Sequence, residues 1–88
     1  MAYNFREVSV LIVDDNHHML ALLKSMLIRF GIGEVIVAHE GAEGFARFCK
    51  HKPDIVVSDW MMTPEDGMDF VQKVRNDIAS PNPYVPFF

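Results

Sequence analysis

The nine residues VSVLIVDDN (8–16) stay apolar, and mostly β-branched, as far as Val13, then turn abruptly acidic. A run of this kind, with almost no polar alternation, reads as a short strand buried on both faces, as in the interior of a parallel sheet. Parallel neighbours cannot be joined by a tight hairpin and need a crossover, so such a strand commits the chain to alternating strand and helix. It also fixes where chemistry can sit: Asp14 and Asp15 stand at the carboxyl end of the strand, where open α/β sheets bind ligands.

The rest of the sequence follows that commitment. From His17 to Phe30 the apolar residues Met19, Leu20, Leu22, Leu23, Met26, Leu27 and Phe30 recur at intervals of three and four, with Gly31 as a stop, which predicts an amphipathic helix. EVIVAHE (34–40) is a second short strand. Beyond Gly41, the spacing of Ala42, Phe45, Ala46 and Cys49 predicts a helix that Pro53 ends. DIVVSD (54–59) is a third strand. A loop holding Thr63, Pro64 and Gly67 then leads into MDFVQKVRND, with Phe70, Val71, Val74 and Ile78 on one face. SPNPYVPFF (80–88) begins as a proline-rich connection and ends as the start of a fourth strand. The expected fold is α/β: a doubly wound parallel sheet between two helical layers, with right-handed crossovers.

Eighty-eight residues fit one small domain with a thin core, and 50% hydrophobic with 23% charged residues is a globular composition. A net charge of −4 and a pI near 5.4 argue against nucleic-acid binding by this segment, which would need clustered Lys and Arg. The single Cys49 cannot form an internal disulfide, and MAYNFREVSV lacks the form of a secretory signal, so a cytoplasmic location is expected. No apolar run approaches the roughly 20 residues a membrane helix needs.

If the first and third strands are neighbours, Asp14, Asp15 and Asp59 converge in one crevice. Their mutual repulsion would then raise at least one carboxyl pKa unless a cation is present. Oxygen-only ligands suit Mg²⁺, which keeps several waters and takes substrate phosphate. The plainer reading of Asp14 and Asp15 is that they cap the first helix. His17 and His18 read as exposed first-turn residues, since adjacent residues do not share a helical face. Met19 and Met26 read as core packing, and Cys49 as a buried thiol without chemistry. Trp60 directly follows Asp59 and either shields the crevice or covers the surface beside it.

LIVDDN followed at this distance by DIVVSDWMMTPEDG, with strand and helix alternating between them, resembles the receiver domain of two-component response regulators, over about Val8 to Phe88. The resemblance implies a flavodoxin-like fold with strand order 2-1-3-4-5, of which this chain holds the part up to the start of strand four. It implies that Asp59 is a phosphoacceptor, modified in a Mg²⁺-dependent (or Mn²⁺-dependent) reaction by a sensor histidine kinase or phosphotransfer protein. Asp15 matches the acid that ligates the metal directly, and Asp14 the neighbour that holds a metal-bound water. The Met61 backbone carbonyl matches the remaining protein ligand. Such a domain is not an enzyme beyond self-phosphorylation and autodephosphorylation.

Two departures accompany the resemblance. The family's usual proline four residues after the acceptor is Thr63 here, and the proline is Pro64, although Gly67 keeps its place. The family's Ser or Thr closing strand four and Lys closing strand five would fall beyond Phe88, with about the last third of the domain. The chain therefore reads as a C-terminally truncated receiver. The apolar YVPFF at an open sheet edge predicts strand exchange or homodimerisation. The alternative function is a receiver-like scaffold or dimerisation module that does not switch. An aspartate-nucleophile phosphatase is the weakest option, because such enzymes carry Asp-x-Asp at the first strand where this chain has VDDN.

Overall fold

A computed structural model describes residues 5–58, 64–77 and 79–88, with the backbone alone over 64–69. Branched runs form three strands, β1 (Ser9–Val13), β2 (Glu34–Ala38) and β3 (Ile55–Ser58). They alternate with three helices, α1 (His17–Phe30), α2 (Gly41–His51) and α3 (Pro64–Asn76). The strands pair in parallel in the order β2-β1-β3, with Val13 opposite both Ala38 and Ser58. This is the parallel α/β arrangement the alternation predicts, in the flavodoxin-like strand order the resemblance implies.

Each face of the sheet has its own core. Leu11 and Val13 of β1 pack with Ile36, Ala38, Val56, Phe48 of α2 and Phe70 and Val74 of α3. Val10 and Ile12 point the other way, onto Leu20 of α1. β1 is thus buried on both sides, which is why its sequence shows almost no polar alternation. α2 can lie close to the sheet because Gly44 has no side chain: a Cβ there would stand 3.0 Å from a Val13 methyl and 3.3 Å from the Phe70 ring.

Helix boundaries follow local chemistry. Asn16 caps α1 by accepting the Met19 N–H at 3.1 Å, and Gly31, at φ 103°, ends it in the left-handed region open to glycine. Lys52 ends α2 at φ 50°, immediately before Pro53. A 3-10 turn over Phe5–Glu7 folds onto the α1–β2 connection, where the Gly33 N–H donates to the Phe5 carbonyl at 3.0 Å and Phe5 meets Phe30 at 5.2 Å.

Several sequence expectations need correction. Met19 and Met26 are not core: they are 41% and 57% exposed, and Leu22 and Phe30 are exposed with them. α1 crosses a sheet of three strands and buries only Leu20 fully, so the flanks of its apolar stripe face outward. On α2 the buried line is Gly41, Gly44 and Phe48, while Ala42 and Ala46 are exposed and Cys49 is half-buried. The large apolar area of Phe48 outweighs two methyl groups in setting the rotation of the helix. Pro64 and Gly67 belong to a helix and not to a loop, with Pro64 at the first position, where its missing N–H costs nothing.

The tail behaves as the start of a fourth strand. Val56 N–H donates to the Pro86 carbonyl, Phe88 N–H to the Val56 carbonyl and Ser58 N–H to the Phe88 carbonyl, each at 2.9 Å, with Val56 and Phe87 bridged in parallel. Val85 is fully buried, and Phe87 lies edge-on to Phe70 with the Arg75 guanidinium 4.9 Å from its ring centre.

Candidate functional site

The strand order places a crevice at the carboxyl ends of β1 and β3. The connection from β1 returns through α1 to β2 on one side, while β3 lies on the other, so the order reverses at β1. Ligands of open α/β sheets bind at such a reversal, where diverging crossovers leave a gap. Val13 and Ser58 are the last register pair, and Asp14 follows Val13 as the sequence reading requires.

Asp14 is almost fully buried, at 3% exposure, and its Oδ1 accepts the Asn16 N–H at 2.8 Å. Its own N–H donates to the Ala38 carbonyl at 3.1 Å, so the chain leaves β1 still tied to β2. A buried carboxylate is costly unless charge or hydrogen bonds compensate it. Asp15 is exposed. The cap of α1 is Asn16, which removes the reading of the two aspartates as the helix cap. Ser58 is buried at 6% exposure. A depression of about 400 Å³ opens beside these groups, lined by Ile12, Asp14, Asn16, Met19, Val57 and Ser58 among others.

Asp59, Trp60, Met61, Met62 and Thr63 lie outside the described residues, as does Ile78. Of the four sequence-derived metal ligands, Asp14 and Asp15 therefore have a described environment, and Asp59 and Met61 do not. The donors in view at the β1 terminus are carboxylate oxygens, one of them buried, and this hard-oxygen chemistry fits Mg²⁺ or Mn²⁺.

One cluster escaped the sequence reading. His39 follows β2, and its ring lies against that of His17, with centroids 4.5 Å apart and planes at 40°. Glu43 accepts from the His39 backbone N–H at 2.9 Å and lies 3.1 Å from His39 Nδ1. The His39 backbone N–H is the main influence holding the Glu43 carboxyl below its ordinary value; burial opposes it, and the His39 ring and Arg47 assist. Helical periodicity could not reveal this pair, because its two rings lie far apart in the chain, one at the start of α1 and one just after β2. Cys49 is pushed the other way: burial, then the charge of Asp77, raises its thiol pKa, which disfavours the reactive thiolate.

Among the described residues no helix is long and apolar enough to cross a membrane. Comparison with known proteins places the whole arrangement. The response regulator receiver domain family matches residues 10–87. The transcriptional regulatory protein TrcR of Mycobacterium tuberculosis is 37% identical over 75 residues, covering 84% of this chain and 29% of that protein. The chemotaxis protein CheY1 of Helicobacter pylori is 32% identical over 71 residues, covering 80% of this chain and 57% of that one. Among solved structures, the N-terminal domain of a response regulator receiver protein from Methanoculleus marisnigri superposes with a TM-score of 0.81 at 30% identity, covering 92% of this chain and 63% of its own. The chemotaxis response regulator CheY4 of Vibrio cholerae gives 0.77 at 30%, covering 91% and 64%. The chain thus spans less than two thirds of the length of each of these relatives. With its β1-centred sheet and the acid pair closing β1, it belongs to the response regulator receiver domain family.

Proposed function

We propose that this chain is the phosphoacceptor part of a two-component phosphorelay, receiving a phosphoryl group on Asp59 from a histidine kinase or phosphotransfer protein. The observation that carries the reading is the β1–β3 pairing with Val13 opposite Ser58, which brings the strand that leads into Asp14 and Asp15 beside the strand that leads into Asp59. Asp14 and Asp15, with the Asp59 carboxylate and the Met61 carbonyl, are the groups that would hold a divalent ion. When bound, Mg²⁺ or Mn²⁺ supplies neutralisation of the charge on the phosphoryl oxygens.

The Asp59 carboxylate attacks phosphorus in line with the phosphoimidazole bond of the donor. A P–O bond forms and the P–N bond breaks, with its electron pair going to the donor nitrogen, which takes up a proton. Buried Asp14, held by the Asn16 N–H, lines the crevice, and Asp15 beside it is exposed. Positioning is most of what such a transfer needs from the protein, because the transition state is loose and the demands are alignment and charge.

The test is intact mass after incubation with acetyl phosphate and Mg²⁺. Native protein gains one phosphoryl group, Asp59→Asn gains none, Asp15→Asn is slowed by about 100-fold or more, and EDTA abolishes the gain. Modification that persists in Asp59→Asn overturns the assignment. A second reading, a non-switching scaffold, draws on the exposed apolar flank of α1 at Leu22, Met26 and Phe30. It takes precedence if the folded native protein never gains mass yet sediments as a dimer.

A further inference from the structure

The outer edge of β2 takes no part in the phosphoryl chemistry. β2 stands at the margin of the sheet, and among the described residues only β1 pairs with it. The Glu34 N–H donates to the Val8 carbonyl at 3.3 Å and the Ala38 carbonyl accepts the Asp14 N–H at 3.1 Å, so Glu34, Ile36 and Ala38 turn their backbone groups to β1. Val35 and Val37, between them, turn theirs to the open side. Edge strands usually carry a device against pairing, such as a lysine, a proline or a bulge. Beyond Glu34 this strand reads VIVA, uncharged and without proline, in unbroken register with β1.

The flank of this edge carries opposite charge at its two ends. A hollow of about 320 Å³ lies along it, lined by Glu34, Val35, Ile36, Val37, Arg47 and His51. Glu43, Arg47 and His51 follow at intervals of four on α2 and so share one stripe of the helix. The N-terminal end of α2 holds Glu40 and Glu43, and the C-terminal end holds Lys50, His51 and Lys52. Arg47, at the middle, lies 3.9 Å from Glu43 of its own helix. Such a distribution matches itself when turned end for end, which is what a two-fold axis across the strand does. We infer that the β2 edge and the α2 flank form an isologous interface with a second copy of this chain, β2 pairing antiparallel with β2. With Ile36 opposite its counterpart, Val35 and Val37 of one copy exchange backbone hydrogen bonds with Val37 and Val35 of the other, and the two sheets continue as one. His51 and its lysine neighbours then face Glu40 and Glu43 of the second copy.

Sedimentation equilibrium of the full chain at low salt, from micromolar to near-millimolar concentration, tests the assignment without calling on Asp59. Native protein passes from monomer to dimer. Val35→Pro raises the dissociation constant about 30-fold by removing one backbone hydrogen bond on each side of the axis. It keeps the native helix content in circular dichroism, because the lost N–H faces the open edge, where proline is tolerated. His51→Glu sets a like charge against Glu43 of the second copy without altering β2; it raises the dissociation constant about tenfold and reads the same surface if Val35→Pro fails to fold. Leu22→Lys on the exposed flank of α1 and Phe88→Lys on the competing tail edge leave the native value. Native protein that stays monomeric throughout, a dimer as tight in His51→Glu as in native protein, or a dimer lost in Leu22→Lys or Phe88→Lys overturns the β2 interface.

Discussion

Asn16 does two jobs with two different groups. Its side chain accepts the Met19 N–H to cap α1, while its backbone N–H satisfies the buried Asp14 carboxylate. Substitution separates the two: Asn16→Ala removes the cap and leaves the backbone bond to Asp14. Its expected effect is a loss of about 1 kcal/mol in urea unfolding, the ordinary cost of losing an N-cap, with divalent-ion affinity little changed. A comparable loss of Mg²⁺ affinity in Asn16→Ala would mean that the side chain, and not the backbone, organises the acid pair. The plainer sequence reading places the cap on Asp14 and Asp15, and the structure moves it to Asn16; the hold of Asn16 on Asp14 is not legible either, since a backbone donor carries no residue signature.

At the scale of elements, the start of α2 is a charged construction. Glu40 and Glu43 each accept a backbone N–H near the helix N-terminus, where negative charge is favoured by the helix dipole. The pKa of Glu43 is lowered in the folded protein, so its contribution is present above the unfolded-state value of 4.5 and is lost as pH falls through the folded value. Native protein is therefore expected to lose more stability than Glu43→Gln as the pH is lowered from 6 to below 4, as checked by urea midpoints at each pH. Equal slopes would show that Glu43 contributes nothing through its charge. Because Glu43 is partly exposed, solvent screening keeps the effect small.

On the scale of the whole molecule, the last four residues close the core from the β3 edge. Val85 fills the α2–α3 side of the core, and Phe87 meets Phe70 edge-on with the Arg75 guanidinium over its ring. Val85→Ala is expected to cost about 2 kcal/mol, from lost burial plus the cavity left behind. In a domain of this size that is a sizeable part of the total stability. A thermal midpoint unchanged in Val85→Ala would mean that the tail is not part of the cooperative unit. The Tyr84 and Phe88 side chains, at 87% and 68% exposed, are expected to tolerate replacement far better.

The amino-acid sequence by itself determined the alternation of strands and helices, the double burial of β1 and the position of Asp14 at its carboxyl end. These follow from local apolar runs, periodicity and caps, which act between residues near one another in the chain. It did not determine which flank of α1 would be covered, since Met19 and Leu20 are both apolar and only the rotation at which the helix meets the sheet separates them. Nor did it determine the rotation of α2, which Phe48 and the close approach at Gly44 set, or the meeting of His17 with His39. Those were decided by the tertiary structure, because each depends on surfaces brought together by pairing β1 with β2 and β3, and no local signal encodes a distance between residues far apart in the chain.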